Sequence, residues 1–172
     1  ISPDGFVLQA LASAEAVLRP EEKQMGVVLV DIGGGTTDLA VFIEGSVWHS
    51  LVLGVGGNNL TNDIAIILRT PFATAEELKT RYGHAVADAV DPQDRVNITT
   101  FGEGSQQSVP RRDLARIIAA RSEEILDSIL REIKRSGYDG LLPAGMVLTG
   151  GTAELEGFSE LARNRLDLPV RI

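Results

Sequence analysis

Apolar residues occur along this chain in two arrangements. Short continuous runs rich in Val, Ile and Leu mark buried strands, and apolar residues three and four apart mark helices. The clearest run is Val27-Val28-Leu29-Val30-Asp31-Ile32, and a second starts at Thr37 and reaches Ile43. Glu44-Gly45 is a turn signal and Ser46–Leu53 alternates, so 27–32, 37–43 and 46–53 are predicted as a meander of three strands. Upstream, Phe6–Leu11 is predicted as a further buried strand. Ala12–Leu18 is Ala-rich and predicted helical, closed by Pro20, with Glu21–Met25 a charged connector.

Downstream, Leu60, Ile64, Ile67 and Leu68 fall on one helical face, with Asn58 and Asn59 as candidate caps and Arg69-Thr70-Pro71 as the stop. Thr74 and Glu77 have capping-box spacing for a helix running to about Gly83. Residues 84–112 hold fewer large apolar residues. Turn signals stand there at Asp91-Pro92 and Gly102-Glu103-Gly104-Ser105, and 96–101 with 106–109 are predicted as a small hairpin, the candidate for a minor lobe. A long helix is predicted from about Asp113 to Ser136. Its stripe is Leu114, Ile117, Ile118, Ile125, Leu126, Ile129 and Ile133. Met146-Val147-Leu148 is a short strand, Phe158, Leu161, Ala162 and Leu166 carry a helix, and Val170–Ile172 begins a last strand. The succession predicts an α/β fold.

Composition narrows the class. The 172 residues are 44% hydrophobic with mean hydropathy +0.08, which fits a chain with a sizeable core. A formal charge of −8 argues against nucleic acid as a partner, because sequence-independent binding needs a basic surface. Without cysteine there is neither disulfide nor thiolate metal site, which fits a reducing compartment. No apolar stretch approaches the roughly 18–20 residues of a membrane span. The chain starts at Ile1 and stops in what reads as mid-strand, so it is expected to be part of a longer protein.

The candidate chemistry lies in three Gly-rich turns, each placed after a strand. In the first, Asp31 ends a strand and Gly33, Gly34, Gly35 and Thr36 follow, with Asp38 opening the next strand. Such a turn brings backbone N–H groups close to an anion, and a carboxylate at the strand end can hold a hydrated metal ion or orient a water. A ligand-free hairpin turn is the alternative. The second turn is Gly54-Val55-Gly56-Gly57 and the third is Thr149-Gly150-Gly151-Thr152, the latter leading into a helix. Clustered at the strand ends of one sheet, the three would form a phosphate and nucleoside crevice. Glu76 and Lys79, three apart on one helix face, are either a surface ion pair or polar contacts for a ribose or adenine edge. Arg121 interrupts the long apolar stripe, with Glu124 three residues on. It either snorkels from the core edge or receives a partner's carboxylate. The nearby Arg111, Arg112 and Arg116 favour an acidic partner segment. His49 and His84 are isolated and are expected to be structural or exposed.

These motifs occur in the order of the actin/Hsp70/sugar-kinase ATPase superfamily, and the chain more closely resembles the FtsA family of bacterial cell division. The resemblance rests on residues 31–38, 54–65, 75–83 and 147–152, supported by 11–18 and by 137–145. It implies an actin-like (ribonuclease H-like) half, a mixed sheet flanked by helices. A core of residues 1–57 and 141–172 would carry a smaller inserted α/β lobe, 58–140. It further implies ATP and Mg²⁺ as ligands. Asp31 would organise the metal's water shell and the attacking water, Asp38 would lie near that water, and Gly33, Gly34, Gly35 and Thr36 would hold phosphate. Glu76 and Lys79 would contact adenosine, and Gly150, Gly151 and Thr152 would form the adenosine turn. Arg121 and Glu124 would contact the acidic C-terminal peptide of FtsZ. The implied role is that of an actin-like adaptor in the cytoplasm, at most a weak ATPase. It would self-associate into filaments and tether the FtsZ ring to the membrane at the septum through a segment outside this chain. Rival readings are a pilus-assembly adaptor of PilM type and an Hsp70-like chaperone ATPase.

Overall fold

The computed structural model of the protein describes residues 5–102 and 106–172. The meander forms as predicted, with β1 (Val27–Ile32) and β3 (Ser46–Leu53) each antiparallel to β2 (Thr37–Ile43) between them. β4 (Arg95–Thr99) and β5 (Gln106–Pro110) make a separate hairpin. β6 (Met146–Thr149) and β7 (Val170–Arg171) join the main sheet. Strand order in that sheet is β3-β2-β1-β6-β7, and β6 runs parallel to both β1 and β7. The sheet is therefore mixed. Its middle strands, β1 and β2, are buried along their whole length, which is why they read as unbroken apolar runs.

Six α-helices occur among the described residues: α1 (Gln9–Val17), α2 (Pro20–Met25), α3 (Gly57–Leu68), α4 (Phe72–Tyr82), α5 (Arg111–Ser136) and α6 (Phe158–Arg165). Alternate residues of each central strand face opposite sides of the sheet. Val27, Leu29, Ala40, Phe42 and Val147 pack with Ala10 and Ala14 of α1. Val28, Val30, Ile32, Leu39, Val41 and Leu148 join the larger cluster that includes residues of α3, α4, α5 and α6. Both faces are thus covered, and each fully buried Leu or Ile contributes about 1.5–3 kcal/mol.

Several elements differ from the sequence-based expectation. Phe6–Leu11 is not a strand: residues 6–8 are exposed and irregular, and Gln9–Leu11 belong to α1. The stretch pairs with no strand of the sheet, and its alanines favour the helix instead. Pro20 does not merely close a helix. It opens α2 at the first position, where its missing N–H costs nothing, and the supposed connector is that helix. Helix α3 starts at Gly57 with Gly56 as cap, and Asn59 contributes by accepting a hydrogen bond from Gly56 N (2.9 Å). Ile67 turns outward, 59% exposed. Helix α4 begins at Phe72, two residues before the expected cap, so Thr74 lies inside the first turn and Glu77 pairs with Arg81 (2.6 Å). The turn expected at 102–105 falls largely outside the described residues.

Candidate functional site

The three Gly-rich turns meet at one carbonyl. Gly33 O accepts from Gly57 N (2.9 Å) and from Thr152 Oγ1 (3.1 Å), so the first turn is tied to the second and third. Asn58 N donates to Gly34 O (2.7 Å), and Thr152 N donates to Ile32 O (3.1 Å). This closeness explains the glycines. A Cβ on Gly56 would fall 2.6 Å from Gly33 O. Gly150 takes φ +87°, and a Cβ there would fall 2.5 Å from Asp31 Oδ1. The N–H groups of Gly34 and Gly35 donate to no protein group among the described residues, and Gly35 faces open space. They are the donors this turn can offer an anion.

Beside the joined turns lies a cleft of about 490 Å³. Gly33, Gly34, Glu76, Lys79, Gly151 and Thr152 all line it. Six sequence-predicted residues from three separate stretches are thus brought to one place, and the volume suits a nucleotide-sized ligand. The third turn does not lead straight into a helix as expected. Further turns intervene, and α6 begins only at Phe158.

Glu76 and Lys79 form more than a surface pair. Lys79 Nζ donates to Glu76 Oε2 (2.8 Å), to Thr61 Oγ1 (2.9 Å) and to Gly57 O (3.2 Å), and its side chain is 12% exposed. Thr61 also hydrogen-bonds Glu76 Oε2. Burial disfavours the charge on Glu76, but the bonds from Lys79 and Thr61 outweigh it and hold the carboxyl below its ordinary range.

Asp31 and Asp38 stand directly opposite one another on β1 and β2, both buried, on the face that α1 covers. Asp31 Oδ2 accepts from Ser13 Oγ (2.6 Å) and Gln9 Nε2 (3.3 Å), and Asp38 accepts from Thr36 Oγ1 (3.2 Å). Gln9 and Ser13 were not singled out from sequence. Their signal was the i, i+4 spacing on a helix preceding the aspartate, which the strand expectation for 6–11 concealed. Like charges directly opposite destabilise a sheet. Among the described residues no group of three or more acidic or His side chains could hold a metal alone. Asp31 and Asp38 are the carboxylates at these strand ends that could help hold a hydrated cation.

Arg121 takes neither expected form alone. Its Nε and Nη2 bind Asp63 on α3 side-on (2.6 and 3.1 Å), and Nη1 binds Glu124 (2.6 Å). Asp63 was missed because it lies 58 residues away. Of the flanking arginines, Arg111 pairs with Glu156 and Asp94, and Arg116 pairs with Asp113. His84 is buried and accepts from Val86 N (2.9 Å), while His49 rests near Tyr138.

Comparison with known proteins matches the family model "Cell division protein FtsA" over residues 28–172. The chain belongs to the FtsA family. The family protein of Pseudomonas aeruginosa is 44% identical over 98% of this chain, and that of Bacillus subtilis is 41% identical over 96%. The chain spans 40% and 37% of their respective lengths. Among solved structures, MreB5 of Spiroplasma citri bound to ADP aligns with TM-score 0.76 at 22% identity, covering 95% of this chain and 53% of that one. The same protein bound to AMPPNP gives 0.78. These likenesses show the actin-like fold. The family match also separates the FtsA reading from the pilus-adaptor and chaperone rivals.

Proposed function

We propose that this chain is the ATP-binding and partner-binding half of an actin-like adaptor in bacterial cell division. One observation carries the reading: the three Gly-rich turns, with Glu76 and Lys79, border a single cleft. Gly33, Gly34, Gly35 and Thr36 hold phosphate, Gly150, Gly151 and Thr152 border adenosine, and Glu76 and Lys79 contact it. The structures of MreB5 with ADP and AMPPNP support a nucleotide as the ligand. Asp31, with Asp38 facing it, would hold a hydrated Mg²⁺ and orient its water, and the ion would supply countercharge to phosphate. Residues 58–140 form the lobe that meets the partner, and 1–57 with 141–172 form the nucleotide core. Arg121 and Glu124 receive the acidic C-terminal peptide of FtsZ. Nucleotide favours self-association into filaments, and a segment outside this chain anchors them to the cytoplasmic membrane at the septum.

Titration of the full-length protein with Mg·ATP tests the core of the reading. Wild type binds, and Asp31→Ala weakens binding by about tenfold or more, equivalent to about 1.4 kcal/mol. Unchanged affinity would sink the metal-water role of Asp31. A second titration with the FtsZ peptide should show binding that Arg121→Glu abolishes; no binding by wild type at millimolar peptide removes the adaptor role.

A further inference from the structure

We infer that Thr61 is a positioning residue for the nucleoside end of the cleft, setting the orientation of Glu76 and Lys79. The inference rests on the nucleotide reading above. Thr61 lies in α3, fully buried, where that helix packs against α4. A threonine in a helix commonly bonds back to the carbonyl four residues earlier, and Thr61 does so with Gly57 O (3.1 Å). Two further bonds set it apart. It accepts from Lys79 Nζ (2.9 Å), and its hydroxyl also meets Glu76 Oε2.

A hydroxyl has one proton and two lone pairs. Lys79 supplies a proton to one lone pair, and the hydroxyl proton is shared between Glu76 Oε2 and Gly57 O. Glu76 Oε2 thereby takes a bond from Thr61 and another from Lys79. Glu76 Oε1 receives no protein donor among the described residues, and Glu76 borders the cleft. Thr61 thus fixes the carboxylate with one oxygen occupied inward and the other left for a ligand hydroxyl. It also draws the Lys79 ammonium back against α3, away from open solvent. Without the hydroxyl, two charged groups of the cleft wall lose their common anchor and the buried ammonium loses a partner.

The test is a double-mutant cycle on the full-length protein, read as the dissociation constant for Mg·ATP. Thr61→Val keeps the shape and removes the hydroxyl; it should weaken binding by roughly tenfold. Thr61→Ser keeps the hydroxyl and should stay within about twofold of wild type. In a Glu76→Ala background, Thr61→Val should cost clearly less than it does alone, because only the part that runs through Lys79 remains. If Thr61→Val does not fold, Thr61→Cys, similar in size with a weak donor, is read the same way. Wild-type affinity in Thr61→Val, or a loss that adds in full to that of Glu76→Ala, overturns the role of Thr61 alone. A wild-type protein that binds no Mg·ATP overturns the nucleotide reading and this inference with it.

Discussion

Glu22 offers the sharpest quantitative test of how this fold is held together. It sits in the first turn of α2, and its carboxylate meets Arg171 of β7 with both oxygens (2.7 and 2.6 Å). Arg19 N donates to the same carboxylate (2.8 Å), and Arg171 Nη2 also reaches Val17 O (2.7 Å). The Arg171 hydrogen bonds, working against burial, pull the carboxyl from its ordinary 4.5 to about 2. At 1.36 kcal/mol per pKa unit that lowering is worth roughly 3 kcal/mol. Arg171 is 31% exposed, so solvent screening reduces the figure to about 1–2 kcal/mol. A lowered carboxyl gives stability that is complete above its unfolded pKa and lost as pH falls through the folded one. The contribution is therefore whole above about pH 5 and disappears between about pH 4.5 and 2. Glu22→Gln should cost about 1–2 kcal/mol at pH 7 and only about a few tenths of a kcal/mol at pH 2, measured by urea unfolding at a series of pH values. Other carboxylates titrate equally in both proteins and cancel in the difference. A difference that stays constant from pH 7 to pH 2 would refute the reasoning, because the loss would then be packing and not ionic.

Gly150→Ala should destabilise by more than about 2 kcal/mol in thermal unfolding, since it combines a positive φ with a Cβ only 2.5 Å from Asp31 Oδ1. An unchanged midpoint would show that the turn can relax away from β1. Ser122 is fully buried in α5 and its Oγ has no hydrogen-bond partner among the described residues. Ser122→Ala should therefore raise stability by about 1 kcal/mol in urea unfolding, and a loss would mean that the hydroxyl finds a partner in solution. The Arg165 pair with Asp127 has similar geometry to that of Arg171 but lies more than a third exposed on both sides. Arg165→Ala should leave the urea-unfolding midpoint close to that of wild type, and a large drop would show that exposure does not weaken the pair.

The legibility of the sequence followed how locally each feature is determined. Strands β1, β2 and β6 were readable because buried strands carry uninterrupted apolar runs, and the turn signals between them are short-range. Residues 6–11 failed for the same reason inverted: six apolar-rich residues suit either a strand or a helix, and only the absence of a pairing edge decides. The short helix α2 was hidden by its charge, since its role is to present Glu22 to a strand 149 residues away. The Gly-rich turns were each weak alone. Their meeting at Gly33 O depends on β1 and β6 lying side by side, a fact of topology. Glu76 and Lys79 could be paired from spacing, but spacing alone favours a surface pair over a site. Burial of Lys79 against Thr61 shows that the pair is no simple surface bridge, and Thr61 looked like any polar residue beside a helical stripe.

Helix α3 carries the remaining connection. Its N-terminal turn touches Gly33 and Gly34, Thr61 holds the Glu76–Lys79 pair, and Asp63 grips Arg121 on α5. Thr61 and Asp63 are two residues apart and so point to different sides of the helix. The cleft and the arginine proposed to meet the partner are therefore fastened to one rigid element through buried or half-buried polar contacts. An acidic segment that claims Arg121 must compete with Asp63 for the guanidinium, since the existing pairing already satisfies most of its donors. Asp63 and Thr61 share α3, so the contact at Arg121 and the Glu76–Lys79 pair rest on one helix. Arg121 is thus an occupied contact, held by Asp63 and Glu124, and not an open polar gap in the apolar stripe.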